Sequence, residues 1–357
     1  MTFRWRTRLI PLACLATALV VVAAAAPRAP ASFDHTSGDG RLAQLVDGHR
    51  PPQTSRHATA VVDPDGQSFA GFGADEVSEF EIGSISKIFT GMLLADAVDR
   101  GEVTLETQLG EILELRDAPV AKVTLRQLAT HTSGLPRLPA DLGFTVRAVF
   151  TNYTAGNPYT DTRENLLEQA RNAAVATGGE FGYSNFGAAL LGQAIAERAG
   201  LSYADLLRER ITDPLGMANT YVPSGPDELQ PEAVQGYAAT GKAAEAWTMG
   251  GMAPAGGIRS TTADLALLAE ALLDRTAPGS ASLDQVKSAA GTPMGLAWFV
   301  GTPADPAQDA YRSHNGQTGG FASMLVLDLD AERASLVLSN VSGSVDDLGV
   351  ALLEGNN

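Results

Sequence analysis

The stretch FEIGSISKIFTG, residues 80–91, places Ser84 three residues before Lys87, one of only four lysines in the chain. A serine hydroxyl becomes a useful nucleophile when a neighbouring base takes its proton and dipoles stabilise the charge that develops. Residues three apart share a helix face, so the Lys87 amine can reach the Ser84 oxygen, and apolar surroundings would lower its pKa towards that of a base. The pair predicts acyl-transfer chemistry. The alternative is a helix-capping serine beside a lysine that reaches solvent, because S-x-x-K alone is a weak motif.

Two later stretches carry polar side chains at spacings that suit a substrate cleft. FGYSNFG holds Tyr183 and Asn185, which can project together from an extended turn, one to move a proton and one to hydrogen-bond an amide. RSHNGQTGGF holds His314 and Gly316 on a predicted edge strand, where a glycine admits a substrate backbone and a histidine can face a carboxylate. Taken singly, these patterns are also typical of a surface turn and a surface histidine.

In this order, the motifs S-x-x-K, Y-x-N and H-x-G resemble the active-site signature of the serine β-lactamase and penicillin-binding protein superfamily. With tyrosine in the second motif, the chain is similar to the branch that contains class C β-lactamases and D-Ala-D-Ala carboxypeptidases. The resemblance covers roughly residues 57 to 345 and includes four further segments, TLRQLATHTSGLP, FGYSNFGAALLGQAIAERAG, DPLGMANT and PAGGIRSTTADLA. It implies a serine hydrolase that works through an acyl-enzyme.

The resemblance implies a role for each residue of the first two motifs. Ser84 would be the acylated nucleophile and Lys87 its hydrogen-bonded partner. Tyr183 would shuttle a proton, with the phenolate as one of its forms, and Asn185 would hold the substrate amide. Which of Lys87 and Tyr183 is the base in each step stays open, because two coupled titrating groups can trade the proton.

The third motif would form the opposite wall of the site. His314 would take the position that lysine often fills, Gly316 would lie beside the bound acyl group, and the backbone N–H of Gln317 would complete the oxyanion hole with that of Ser84. The motif departs from the usual K-T-G of β-lactamases and H-T-G of carboxypeptidases, because Asn315 replaces the threonine and histidine is largely neutral near pH 7. This departure favours a peptidase, esterase or amidase over an efficient β-lactamase.

The function that follows is an exported serine hydrolase, most simply a D-Ala-D-Ala carboxypeptidase of the penicillin-binding type that acts on cell-wall peptides. Three alternatives use the same scaffold: a class C-like β-lactamase, an esterase or D-amino-acid peptidase, and a non-catalytic β-lactam sensor. The expected partner is a small-molecule or peptide substrate. His131, within ATHTSGLP, is interpreted as a buried structural residue and not as a base.

Composition and motifs argue against several other classes of protein. The 357 residues include 45% hydrophobic side chains, enough for a large core, and 25 basic against 41 acidic residues give a formal charge of -16. Such a field repels phosphate backbones, so no nucleic-acid partner is expected. The sequence holds no metal-ligand spacing, no G-x-G-x-x-G motif and no P-loop, so neither a metal nor another cofactor is expected.

Residues 1–31 are predicted to be a signal peptide. MTFRWRTR is a basic start, LIPLACLATALVVVAAAA is an apolar run, and an A-x-A cleavage pattern ends at Ala31. Export to the periplasm, the cell envelope or the extracellular space follows, with membrane attachment only if the segment stays uncleaved. Cleavage would remove Cys14, the only cysteine, and with it any disulfide or cysteine nucleophile.

Hydrophobic patterning predicts an α+β fold. A short amphipathic helix, a hairpin near residues 57–73, and strands with a closing helix over the last seventy residues bracket a long helical stretch. This order implies an antiparallel sheet flanked by the terminal helices, with a mainly helical sub-domain inserted, which is the β-lactamase/transpeptidase type of fold. We predict one serine hydrolase domain over 32–357, with its α/β part at about 38–83 and 286–357 and its helical part at about 84–285.

Two further predictions concern the walls of the site, which should lie between the sheet and the helical part. Apolar residues at three- and four-residue steps from Ser84 predict a helix that ends at Arg100 and Gly101 and is buried on most of its surface. Residues 138–162 are predicted to be the loops that set substrate choice.

Overall fold

The structure is a computed structural model that describes residues 36–49, 56–177, 179–231, 233–284, 286, 293–301 and 311–355. The predicted signal peptide, residues 1–31, lies outside the described residues. The described strands are β1 (Thr36–Gly38), β2 (His57–Asp63), β3 (Gly66–Phe72), β4 (Phe80–Glu81), β5 (Arg259–Ser260), β6 (Phe299–Gly301), β7 (Tyr311–Gln317), β8 (Ala322–Asp328) and β9 (Arg333–Ser339). Seven of them form an antiparallel sheet in the order β1-β3-β2-β9-β8-β7-β6, and β4 pairs separately with β5.

The sheet joins the two ends of the chain, because β2 pairs antiparallel with β9. Side chains alternate between its faces, as the period of a strand requires. Ala60 and Val62 belong to the core beneath the helical part, whereas Val61 between them belongs to a smaller core beneath the terminal helices. The predicted α+β architecture with an antiparallel sheet is confirmed.

Helices cover both faces of the sheet. The first and last described helices pack against each other and on one face, and α9 packs on β2 and β9 from the other face. None of the helices in the described ranges is long and apolar enough to cross a membrane. The helices are α1 (Gly40–His49), α2 (Ser86–Asp99), α3 (Leu125–Ala129), α4 (Leu142–Thr154), α5 (Arg163–Arg171), α6 (Asn185–Ala199), α7 (Tyr203–Leu207), α8 (Asp213–Leu215), α9 (Thr262–Leu273) and α10 (Asp346–Glu354).

Helix α2 lies at the centre of the helical part. Its residues are buried from Ser86 to Ala97, which confirms the predicted buried helix. It ends as predicted, with Arg100 as its C-cap and Gly101 at φ +70°. It begins two residues later than Ser84, because Gly83 has φ +50° and the chain forms a 3₁₀ turn over Gly83–Ile85 before the α-helix starts.

The predicted loop region 138–162 holds a helix, α4, and the loop prediction is therefore wrong for residues 142–154. Asp141 starts this helix, since its carboxylate accepts a hydrogen bond from the Phe144 N–H at 2.8 Å. Ala148 and Thr151, on one side of α4, line the cleft described below. A helix, and not only loops, thus shapes this wall.

Candidate active site

Ser84 lies in the turn between β4 and α2, directly beside the edge of β7. Gly83 makes this turn tight, because its φ of +50° favours glycine and a Cβ there would stand 2.7 Å from the backbone nitrogen of Gln317. The space beside Gly83 is therefore filled by β7. The same contact brings the Gln317 N–H next to Ser84, as an oxyanion hole formed by these two backbone groups requires.

Lys87 is placed behind Ser84 and away from solvent. Its Nζ lies 3.0 Å from Ser84 Oγ and 2.5 Å from the Ala255 carbonyl oxygen, and the residue is 1% exposed. Burial first, and then the positive charge of Arg137, hold the pKa of Lys87 well below its usual range. In its neutral form the amine would donate to the Ala255 carbonyl and offer its lone pair to the Ser84 hydroxyl proton. The geometry is that of a general base.

Tyr183 approaches the Ser84 hydroxyl as well. The Nζ of Lys87 lies 5.0 Å from the centre of its ring, and the Ser84 side chain is among the groups that influence the Tyr183 phenol. Burial raises the pKa of Tyr183 to about 12, although the nearby Ser84 side chain opposes this rise. The phenol is therefore protonated at neutral pH, and the phenolate is not the resting form. Of the two groups, Lys87 has a pKa that is lowered towards the range of a general base, whereas the pKa of Tyr183 is raised.

Asn185 is held in place by the segment that follows His131. Ser184 caps α6, because its hydroxyl accepts from the Gly187 N–H at 2.8 Å and donates to the Pro136 carbonyl at 2.7 Å. The Asn185 N–H donates to the Arg137 carbonyl at 3.0 Å. Its side-chain Oδ1 is buried and has no hydrogen-bond partner, so it is a ready acceptor for a substrate N–H.

Strand β7 forms the opposite wall, with Gly316 facing the Ser84 turn. A Cβ on Gly316 would stand 2.1 Å from the Ile82 carbonyl oxygen and 2.3 Å from Ser323 Oγ. Glycine is needed here because β7 packs directly on the chain just before Ser84. The neighbouring Asn315 side chain donates to the Asp346 carboxylate at 2.9 Å.

His314 lies behind this wall and is 1% exposed. Its Nδ1 lies 2.6 Å from the Asn315 carbonyl oxygen, which can only accept, so Nδ1 carries the proton and Nε2 is a bare acceptor without a partner. Burial lowers the pKa of His314 to about 3, with the charge of Lys87 acting in the same direction. The imidazole is therefore neutral at physiological pH, and its Nε2 can only accept a hydrogen bond.

Three side chains surround the Tyr183 ring in addition to the predicted set. His131 is buried, as expected of a structural residue, and its Nδ1 accepts from the Ser184 N–H at 3.2 Å while its ring lies 4.5 Å from that of Tyr183. Phe299 stacks on Tyr183 at 6.3 Å, and the Arg137 guanidinium carbon lies 5.1 Å from the ring centre. Sequence reasoning missed Phe299 and Arg137 as site residues. The only signal for Arg137 is its position directly after the HTSGLP segment.

These elements enclose a cleft of about 770 Å³. The structure brings the seven predicted site residues together. Lys87 and His314 are buried behind the walls of the cleft, and the other five line it: Ser84, Tyr183, Asn185, Gly316 and Gln317. The Ser84 hydroxyl thus has a buried amine 3.0 Å away, with the Tyr183 ring and the backbone of Gln317 close to the same turn.

The cleft thus lies between an antiparallel sheet and a helical part, with a serine and a buried lysine in hydrogen-bond contact at its wall. Residues 46–354 match the family model described as beta-lactamase. The chain belongs to this family, whose members are serine hydrolases.

Similar proteins include carboxypeptidases, penicillin-binding proteins and β-lactamases. A D-alanyl-D-alanine-carboxypeptidase/endopeptidase, AmpH of Escherichia coli (strain K12), is 35% identical over 161 residues, which are 43% of this chain and 39% of that protein. Penicillin-binding protein 4* of Bacillus subtilis (strain 168) is 26% identical over 289 residues, 74% of this chain and 61% of that protein. The matches thus span about two fifths to three fifths of the length of these relatives.

A crystal structure of a β-lactamase/D-alanine carboxypeptidase from Pseudomonas syringae has the same fold. It superposes with a TM-score of 0.72 at 19% identity, over 88% of this chain and 99% of that one. At this level of identity the likeness concerns the fold.

Proposed function

We propose that the protein is an exported serine hydrolase that forms an acyl-enzyme on Ser84, with D-Ala-D-Ala peptides of the cell-wall type as its substrates. The observation that carries the proposal is the buried Lys87 amine, 3.0 Å from Ser84 Oγ. Burying an amine costs stability, and activation of the facing hydroxyl is a function that explains why this cost is retained. The name of the AmpH relative supports carboxypeptidase activity, and the neutral His314 supports a peptidase over an efficient β-lactamase.

The proposed reaction has two steps. Ser84 Oγ attacks the carbonyl carbon, its proton passes to the Lys87 amine, and the oxyanion is held by the N–H groups of Ser84 and Gln317. The C–N bond then breaks, and the departing nitrogen takes a proton that reaches it from Lys87 through the Tyr183 phenol. Water then attacks the ester carbonyl, and its proton passes to the Lys87 amine as in the first step. The bond to Ser84 Oγ breaks and Oγ takes the proton back, which releases the acyl product as an acid and restores the hydroxyl.

The pH dependence of kcat/KM should reveal the base. Because Lys87 is active only as a neutral amine, we expect the rate to fall as the pH drops through its lowered pKa. Tyr183 titrates at about 12, so the rate should stay level through the neutral and mildly alkaline range. The measurement is kcat/KM for a neutral ester substrate across pH, with unfolding followed at each point as a control. A rate that declines above neutral pH would instead indicate an essential group that must stay protonated.

The proposal is tested by a time course of intact mass for the protein mixed with a penicillin, run beside Ser84→Ala. An adduct on the wild type only would support Ser84 as the nucleophile, and cleavage of a D-Ala-D-Ala peptide would then support the carboxypeptidase. An adduct that decays as the drug is hydrolysed would mean a β-lactamase. Neither an adduct nor peptide cleavage would reject the proposed substrates and leave an esterase or D-amino-acid peptidase.

A further inference from the structure

Arg137 differs in charge from every other described residue that lines the cleft. Among the described residues that line the cleft, it is the only lysine, arginine, aspartate or glutamate; the others are apolar, amide, hydroxyl or glycine positions. Lys87 and His314 lie behind the walls, each 1% exposed, and burial lowers the pKa of both. An arginine side chain stays protonated at any physiological pH. Arg137 therefore supplies the permanent charge of this cleft.

This charge is not used for an ion pair within the part of the chain that the structure describes. The chain has 41 acidic residues, yet no carboxylate among the described residues lies within 4.0 Å of the Arg137 guanidinium. Two carboxylates that follow it in sequence are engaged elsewhere. Asp141 accepts from the Phe144 N–H and from Gln169, and Asp161 pairs with Arg147 at 2.6 Å.

The position of Arg137 is fixed relative to the reacting groups. Its carbonyl accepts the N–H groups of Asn185 and Phe186, at 3.0 and 3.2 Å, so its backbone is tied to the start of α6. Its guanidinium carbon lies 5.1 Å from the ring centre of Tyr183, while the residue as a whole remains exposed. A guanidinium placed in this way can present a planar pair of N–H groups, and the partner that matches this geometry is a carboxylate.

We propose that Arg137 binds a carboxylate of the substrate and thereby selects carboxylate-bearing acyl compounds. The inference rests on the proposed function and names the chemistry of its substrates. A chain with a formal charge of -16 repels anions in general, so a local positive charge in the cleft is needed to hold one there. The carboxylate can belong to the leaving group, as in a peptide C-terminus, or to the acyl part that stays on Ser84. Arg137 can bind the carboxylate in either position, and the two pairs of esters distinguish the two positions.

The test uses two pairs of activated esters, so that it does not depend on peptidase activity. In the first pair the charge is on the leaving group, with 4-acetoxybenzoate against 4-acetoxybenzamide. In the second it is on the acyl part, with 4-nitrophenyl hydrogen glutarate against 4-nitrophenyl methyl glutarate. The kcat and KM are measured for the wild type, Arg137→Gln and Arg137→Lys. Arg163→Gln, which removes a half-buried arginine paired with Glu197 at 2.6 Å outside the cleft lining, is the matched control.

We expect the wild type to prefer the carboxylate member of at least one pair, and Arg137→Gln to lower that preference by about 10- to 100-fold, mainly through KM. Arg137→Lys should recover part of it, because it keeps the charge and loses the planar pair of N–H groups. Removing a positive charge near Lys87 also raises the lysine pKa, so all rates are compared on the level part of the pH profile. Arg163→Gln should behave as the wild type.

Two results would overturn the inference. The first is a wild type that shows no preference for the carboxylate ester in either pair. The second is a variant, Arg137→Gln, whose kcat/KM falls equally for the carboxylate and the neutral ester, which would make Arg137 a positioning residue for Tyr183. Failure of the proposed function is separate. If D-Ala-D-Ala peptides are not cleaved but the ester preference depends on Arg137, the substrate assignment is wrong and the carboxylate site stands.

Discussion

Replacing Lys87 by methionine is expected to lower kcat/KM by about 10⁴- to 10⁶-fold and at the same time to stabilise the fold. The loss of activity follows because the amine 3.0 Å from Ser84 Oγ is the group placed to take the hydroxyl proton. The gain in stability follows because methionine fills a similar volume without a buried amine to desolvate. We expect the free energy of unfolding to rise by about 0.5 to 2 kcal/mol.

The stability gain should depend on pH in one direction. The pKa of Lys87 is lower in the folded protein than in the unfolded chain, where it is about 10.4. Between these two values the unfolded chain binds more protons, so the stability of the wild type rises with pH. The advantage of Lys87→Met should therefore shrink as the pH is raised and vanish near the unfolded pKa. Urea unfolding at several pH values measures this.

A matched control separates these effects from the loss of a lysine as such. Lys122 is exposed, and Lys122→Met should change neither the rate nor the stability beyond about 0.5 kcal/mol. If Lys87→Met keeps its rate of Ser84 acylation within ten-fold of the wild type, Lys87 is not the base. The role would then pass to Tyr183, and Tyr183→Phe would have to show the large loss.

The sequence predicts those parts of the site that depend on local spacing. Ser84 and Lys87 are three residues apart, and Tyr183 and Asn185 two apart, so each pair is brought to one side by a single turn of chain. The antiparallel sheet follows from alternating apolar residues near both chain ends. These features require no knowledge of how distant segments meet.

Features that depend on contacts between distant segments could not be predicted. Gly83 is needed because β7, more than two hundred residues later, packs against it, with the Gln317 nitrogen 2.7 Å from where a Cβ would stand. His314 is neutral because it is buried beside Phe299, 5.0 Å away on the neighbouring strand. Arg137 reaches Tyr183 only through the packing of its loop on α6. The spacing of residues along the chain does not predict contacts of this kind.

A buried ionic cluster beneath Ser84 illustrates the same limit and has a large expected effect on stability. Arg259 on β5 donates from Nε to Glu79 and from Nη1 to Glu81 on β4, the latter at 3.1 Å, and all three residues are at most 5% exposed. Glu81 also accepts from the Trp247 N–H at 2.9 Å, and Trp247 lines the cleft. The cluster thus joins the strand before Ser84 to one wall of the site.

Arg259→Gln should lower the free energy of unfolding by about 3 to 5 kcal/mol, because it leaves two buried carboxylates without a counter-charge. Burial raises the pKa of Glu81, and the charge of Arg259 is the largest effect that opposes the rise. Without Arg259 the folded pKa rises further above the unfolded value of about 4.3. The cost is absent below the unfolded pKa, grows as the pH rises from the unfolded to the folded pKa, and is constant above it, so the deficit should be largest above the folded pKa and shrink on acidification.

Unfolding in urea at neutral and acidic pH measures this deficit, with Arg126→Gln as the control for an exposed pair. Arg126 pairs with Glu106 at 2.6 Å at the surface, and its loss should cost at most about 1 kcal/mol. The triple variant Glu79→Gln, Glu81→Gln and Arg259→Met removes all three charges and should recover most of the stability. If it is as unstable as Arg259→Gln, packing and not uncompensated charge explains the loss. If it recovers stability but not activity, the cluster holds Trp247 and the Ser84 turn in the positions that acyl transfer needs.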